Sequence, residues 1–318
     1  MQRKRLGQTD LDVSVLGFGA APLGGEYGTI DPAEAERAVH YAIDHGINFF
    51  DTAPYYGRTA SEERLGKALE GRRDEVVIAT KCARYGLDDF DFSAKRVEES
   101  IDESLKRLRT DHVDLYQIHD IEFGDPRQVI EEAIPAARKV QQAGKARYIG
   151  ITGLQLKALR QAAGAAPVDT ILSYARYNLM ARDLDDLITP FAQENGIGLI
   201  NASPLHLRIL TPMGAPEWHL AEPEVKDIGR KVVELCDARG KPTPKVALRF
   251  CLDHPYISTT LVGLATVEQV RQNLEILHET SDPELLAEIE ALVAPVLNRI
   301  WPSGHPENQD YPRLASKP

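Results

Sequence analysis

Apolar and β-branched residues gather in eight short runs, at 13–16, 47–50, 76–80, 113–118, 146–151, 170–173, 198–201 and 259–262. Runs this short, bounded by Gly, Asp or Pro, read as buried strands. Between them the apolar positions change to helical spacing: Ala38, Val39, Ala42 and Ile43 mark one face, and Val97, Ile101, Leu105 and Leu108 another. Helix starts are written in as well. Asp31-Pro32-Ala33-Glu34 joins an N-cap, a first-turn proline and a Glu three residues on, and Ser93 caps the helix that carries Ile101. Alternating strands and helices predict a parallel sheet, because parallel neighbours need a crossover between them. Eight such units without a linker or compositional break predict a closed (β/α)8 TIM barrel, one α/β domain over residues 1–318. An open doubly wound sheet fits less well, since the Gly-x-Gly-x-x-Gly turn after a first strand is missing and Gly17-Phe18-Gly19 alone does not supply it.

The spacing breaks between Asn201 and Thr259, a gap far longer than the others. It holds Pro216-Glu217-Trp218-His219 and a helical stretch from 224 to 239, and a tail from 282 to 318 follows the last strand. Both are expected over the barrel mouth.

Charge narrows the partners. Of the 318 residues, 48 are acidic and 37 basic, a formal net charge of −11, with no cluster of Lys and Arg. Such a surface repels phosphate backbones and anionic lipid, so neither nucleic acid nor membrane is an expected partner. Uncharged stretches such as 13–25 are Gly-rich and well short of the roughly 18 apolar residues of a membrane span. The basic start Met1-Gln2-Arg3-Lys4-Arg5 runs into Gly7, Asp10 and Asp12 instead of the apolar core of an export signal. Cys82, Cys236 and Cys251 are too few and too scattered for a disulfide framework or a zinc site. A cytoplasmic protein with a small-molecule substrate is expected, as a monomer or weak homo-oligomer.

In a barrel of this kind chemistry gathers where the strands end. Asp51 ends the second strand and Tyr56 lies in its loop; Lys81 ends the third and His119 the fourth. Singly, each has an ordinary reading as a loop acid, a packed aromatic, a solvated strand end or a core histidine. Jointly they make an acid–base device: a free phenol has a pKa of about 10, a nearby ammonium stabilises its phenolate, and a carboxylate holds that ammonium charged and in place. His119 adds a second donor for a carbonyl or hydroxyl oxygen.

This order of Asp, Tyr, Lys and His on strands two to four resembles the aldo-keto reductases. The likeness runs through Ser61-Glu62-Glu63-Arg64-Leu65-Gly66, Ser104-Leu105-Lys106-Arg107-Leu108 and Ala202-Ser203-Pro204-Leu205, and so spans nearly the whole chain. It implies that Asp51, Tyr56, Lys81 and His119 are the catalytic tetrad, with Tyr56 the general acid or base, hydride passing directly to or from nicotinamide C4, and no metal. Loops and tail resemble the family's sugar 1-dehydrogenases, in His119-Asp120-Ile121-Glu122-Phe123-Gly124, Gly150-Ile151-Thr152-Gly153, Pro216-Glu217-Trp218-His219 and Trp301-Pro302-Ser303-Gly304. That implies oxidation of an aldose at C1 to its lactone, with L-galactose first and L-fucose next. Tyr55, Trp218 and Trp301 are the expected sugar contacts, since aromatic faces pack on the C–H face of a sugar. A general NADPH-dependent aldehyde or ketone reductase and a nucleotide-bound redox sensor subunit are the competing functions.

The resemblance also implies cofactor contacts, with departures. Where many members carry a Ser-Asn pair and a Gln to hold the nicotinamide carboxamide, this chain has Thr152-Gly153 and Tyr174, and Ala202 replaces a stacking aromatic before Ser203. Ser203 and Leu205 follow strand seven. After strand eight, the positions where members using NADP carry Lys and Arg hold Gly263 and Gln269, while Asn273 remains for the adenine. Arg271 is turned about 200° from residue 269 along a helix and is expected in solvent. NAD is therefore the expected cofactor.

Overall fold

In the computed structural model, which describes residues 1–25 and 28–310, eight parallel strands close into a barrel. They are β3 (Leu16–Gly19), β4 (Phe49–Asp51), β5 (Val77–Cys82), β6 (Val113–Ile118), β7 (Ala146–Gly153), β8 (Thr170–Tyr174), β9 (Gly198–Ala202) and β10 (Thr259–Gly263), with β10 pairing back onto β3. Two further strands, β1 (Arg3–Arg5) and β2 (Asp12–Ser14), form an antiparallel hairpin outside it.

The hairpin corrects the reading of run 13–16. Val13 belongs to β2, whereas the first barrel strand starts at Leu16 and contains Gly17-Phe18-Gly19. The break falls at Ser14, whose N–H donates to Asn48 Oδ1 at 2.7 Å and whose hydroxyl donates to Leu16 O at 2.7 Å. Leu6, Leu11 and Val13 of the hairpin segment pack against Phe49, Val77, Leu115, Leu172 and Ile200, closing the end of the barrel where the strands begin.

Side chains alternate in and out along each strand. In β6, Leu115 joins the interior cluster while Tyr116 and Ile118 face the surrounding helices. Gln117 and, two residues on, His119 share the parity of Leu115. The interior is thus apolar near the strand starts and polar near the strand ends.

The helical expectations hold: Ala38, Val39, Ala42 and Ile43 are the buried face of helix Pro32–Asp44, and Val97, Ile101, Leu105 and Leu108 that of Ala94–Leu108. Asp31 accepts from Ala33 N at 3.0 Å and Ser93 from Arg96 N at 3.3 Å. Glu34 departs from the expected capping pattern. Its carboxylate accepts from Val267 N at 2.9 Å, which ties the first helix to helix Val267–Glu275 instead of closing its own N-terminus.

The gap between β9 and β10 holds helices Pro223–Ala238 and Thr243–Leu252, and Pro283–Val293 of the tail packs with the first of them around Val225, Val232, Leu285 and Ile289. From Trp301 to Asp310 the tail crosses the strand ends. His305 N donates to Glu122 O at 2.8 Å, Asn308 Nδ2 to Glu122 O and Gly124 O at 2.9 Å each, and Arg176 Nη1 to Asp310 Oδ2 at 2.5 Å. Among the described residues no helix is long and apolar enough to cross a membrane, and no three His, Cys, Asp or Glu side chains gather as metal ligands. Cys82, Cys236 and Cys251 are buried free thiols.

Candidate active site

Lys81, 1 % exposed, is the hub. Its ammonium donates to Asp51 Oδ1 at 2.5 Å, to Thr52 O at 2.8 Å and to the Tyr56 hydroxyl at 3.2 Å. Those contacts match the ammonium's three donors. Asp51 is buried as well, and its other oxygen accepts from Gln117 Nε2 at 2.9 Å. Burial pushes the Asp51 carboxyl above its ordinary pKa, and the Lys81 charge and the donors from Lys81 and Gln117 oppose that rise. His119 stands edge-on to Tyr56, ring centroids 5.7 Å apart at 86°. Burial holds its imidazole down to about 3, so the ring is neutral at neutral pH. Nδ1 is buried without a hydrogen-bond partner among the described residues, which leaves Nε2 as the ring atom to meet an oxygen.

The sequence motifs act as the frame of this group. Ser61 donates to Ala20 O at 2.7 Å and pairs with the Thr52 hydroxyl at 2.8 Å, fixing the residue whose carbonyl accepts a hydrogen bond from Lys81. Glu62 is fully buried between Thr80 Oγ1 and Arg107 Nε, both at 2.6 Å. Gly66 allows the two helices to touch, because a Cβ there would lie 2.4 Å from Arg107 O. Gln117 was missed as a site residue, although its position two before His119 places it on the same strand face.

The other expected contacts are spread around the mouth. Tyr55 packs beside Tyr56 and His119, centroids 6.0 Å from each. Thr152 Oγ1 accepts the Asp120 N–H at 3.1 Å and keeps its own proton to donate. The Tyr174 hydroxyl points at Glu122 Oε1, 3.5 Å away. Ser203, at φ 59°, turns the chain after β9, and it and Leu205 are half-buried. Gly263 is exposed at the end of β10, Gln269 Oε1 accepts Ala265 N at 2.8 Å, and Asn273 Nδ2 donates to Gln269 O at 2.8 Å. Trp218 is 58 % exposed and lies parallel to His219, centroids 5.9 Å apart. Trp301 is 8 % exposed, set edge-on against His219 and His206 within the apolar body under the tail. The hydroxyls of Thr152 and Ser203 and the half-buried Tyr56 fit a nicotinamide laid over the strand ends, where Thr152 and Ser203 would hold the ring and its carboxamide.

A parallel barrel that presents a phenol on a buried ammonium, with a neutral imidazole beside it, defines an oxidoreductase working between alcohol and carbonyl. The aldo/keto reductase family matches residues 15–294, and the chain belongs to that family, whose members use a nicotinamide cofactor. It is 46% identical to L-galactose dehydrogenase of Arabidopsis thaliana over 97% of this chain and 99% of that protein. D-threo-aldose 1-dehydrogenase of a Pseudomonas species is 31% identical over 83% of this chain and 89% of its own. Among solved structures, the holo form of an aldo-keto reductase from Bacillus halodurans is similar with a TM-score of 0.79 at 28% identity, covering 97% of this chain and 99% of that one.

Proposed function

We propose that this protein oxidises an aldose at C1 to the lactone with NAD, L-galactose being the first substrate and L-fucose or a related sugar the next. The observation that carries the reading is the buried Lys81 ammonium shared by Asp51, Thr52 O and the Tyr56 hydroxyl. Its charge favours the phenolate form of Tyr56, which takes the proton from O1 of the sugar. His119, neutral, donates Nε2–H to the same oxygen and holds it against the phenol. NAD, when bound, accepts the hydride released from C1. The C1–H bond breaks with its electron pair, the O1–H bond gives its proton to Tyr56, and C1 and O1 become the lactone carbonyl.

Tyr55 and Trp218 are the proposed sugar contacts, and Trp301 backs Trp218 through His219. The likeness to two sugar dehydrogenases supports the substrate class. Buried thiols suit a cytoplasmic setting, and a monomer or weak homo-oligomer suffices, since all four catalytic groups come from one chain. A panel of aldoses with NAD and NADP, followed by nicotinamide absorbance, tests the proposal: many turnovers with L-galactose are expected. Turnover of simple aldehydes alone with NADPH would move the protein to the reductase reading, and a reaction that stops after one equivalent to the sensor reading.

A further inference from the structure

A second charged pair stands in the wall of the mouth, and the proton chemistry does not use it. Arg84 and Asp120 lie just beyond β5 and β6, and Arg84 Nη1 donates to Asp120 Oδ2. The guanidinium is held flat by aromatic rings: its Cζ lies 3.9 Å from the Tyr55 centroid, 5.2 Å from Phe90 and 5.4 Å from Phe123. Nε reaches Gly86 O at 3.4 Å, while Nη2 donates to none of the described residues, and the side chain keeps 13% exposure. Asp120 is fixed independently. It sits at φ 50°, in the left-handed region that a non-glycine residue seldom adopts, and its N–H donates to Thr152 Oγ1 at 3.1 Å. Its Oδ2 is 3.7 Å from His119 Nε2, the atom assigned to the reacting oxygen.

A pocket for a plain aldehyde gains nothing from such a pair. When hydrocarbon covers the pair, its remaining hydrogen-bonding atoms lose water and receive nothing in return. A polyhydroxylated ring supplies both a donor and an acceptor. We infer that Arg84 and Asp120 are specificity residues that read two ring hydroxyls of the aldose beside the reacting carbon. C1 has two flanking oxygens, the ring oxygen and the C2 hydroxyl. A carboxylate only accepts, and the ring oxygen has no proton to give, so Asp120 selects the C2 hydroxyl and thereby sets which way round the sugar lies. Arg84 Nη2, beside it, donates to the C3 hydroxyl oxygen.

This rests on the aldose reading, and the test separates the two. Specificity constants are measured for L-galactose and for its 2-deoxy and 3-deoxy forms, with wild type, Asp120→Ala and Arg84→Met, and NAD binding by fluorescence titration confirms that each variant is folded. Wild type is expected to prefer L-galactose over the 2-deoxy sugar by at least about tenfold, the size of a hydrogen bond to a charged group. In Asp120→Ala that preference should shrink to within about threefold, because the intact sugar loses a contact that the deoxy sugar never made. Arg84→Met, which keeps its packing on Tyr55, should shrink the 3-deoxy preference in the same way. Should Asp120→Ala fail to bind NAD, the Arg84→Met ratio decides alone. Sugar turnover with unaltered ratios overturns this inference and leaves the aldose reading standing, whereas failure of wild type to oxidise any aldose overturns both.

Discussion

At the end of the barrel where the strands begin, Asp114 is buried between two arginines. Its Oδ2 accepts from Arg73 Nη2 at 2.8 Å and from Ile78 N at 2.9 Å, and its Oδ1 from Arg147 Nη1 at 2.8 Å. Arg73 also donates to Val76 O at 2.9 Å, and Arg147 to Asp10 Oδ1 at 2.6 Å. At the opposite end, Asp51 is as buried as Asp114 and Lys81 is more deeply buried than either arginine, yet part of the polar capacity around them is unspent: Gln117 Oε1 and His119 Nδ1 have no partner among the described residues. The chemical types at the two ends are alike. What differs is mobility of protons. Arginine does not give up a proton in a protein, so the first end is a clamp, whereas an ammonium against a phenol provides two sites between which a proton can be balanced.

Exchanging the two ends by mutation should separate activity from stability. Tyr56→Phe keeps the ring and removes the hydroxyl, so turnover should fall by about 10² to 10⁴ with NAD affinity and melting temperature little changed. Retention of more than about a tenth of wild-type turnover, with chemistry limiting, would remove Tyr56 from the proton step. Asp114→Asn should do the reverse. It leaves Arg73 and Arg147 facing an amide and should cost about 3 kcal/mol, the low end of the range for a broken buried pair because Arg147 is 40% exposed. The folded fraction should turn over at the wild-type rate. Urea titration and active-site-normalised kinetics read the two effects, and a lowered rate in fully folded Asp114→Asn would break the division.

Glu122 is another buried carboxyl and tests the same contrast through pH. Oε1 accepts from Leu154 N at 2.9 Å and Ser303 Oγ at 3.1 Å, while Oε2 has no partner among the described residues. Burial, with the negative charge of Asp120 behind it, pushes the Glu122 carboxyl up to about 8. An unfolded Glu ionises near 4.3, so between those values the folded chain holds a proton that the unfolded chain has lost. Its stabilising effect is complete below about pH 4 and fades as pH rises toward 8. Glu122→Gln has no proton to lose, and its melting temperature should exceed that of wild type by several degrees at pH 8.5 and converge with it near pH 5. A gap that does not change with pH would show that Glu122 does not hold that proton.

That Asp51, Lys81 and His119 gather at one end of the barrel was legible because strand ends are local signals: each of the three lies at the close of an apolar run. Period two counted back from His119 marks Gln117, so that contact was readable and went unread. Arg84, Asp120 and Glu122 are a different case. Arg84 and Asp120 are brought together by the pairing of β5 with β6, and Glu122 meets Leu154 and Ser303 only where loops and tail converge, so no periodicity marks them. Ser14 shows a third limit. The bend between β2 and β3 rests on hydrogen bonds to Asn48 and Leu16, which interrupt a strand without interrupting its apolar pattern.

The cofactor preference is the smallest effect and depends on a region that belongs to neither end of the barrel interior, the segment after β10. Arg271 is the nearest candidate for a 2′-phosphate, and its guanidinium is already held on the same helix, by Glu268 through Nε at 2.9 Å and Nη2 at 2.7 Å and by Glu275 through Nη1. To reach a phosphate it would have to leave both carboxylates. Gln269 is occupied in another way, its Oε1 accepting the Ala265 N–H, and Gly263 presents only backbone. A charge-assisted contact to phosphate contributes about 1.5 to 3 kcal/mol, so lacking one should favour NAD over NADP by at least about tenfold in kcat/KM. Gln269→Arg sharpens the test: a cation at the helix start should raise kcat/KM with NADP by about tenfold and leave kcat with saturating NAD unchanged. Equal or better efficiency of the wild type with NADP would mean that Arg271 gives up its two glutamates for the phosphate, and steady-state kinetics with both cofactors decides it.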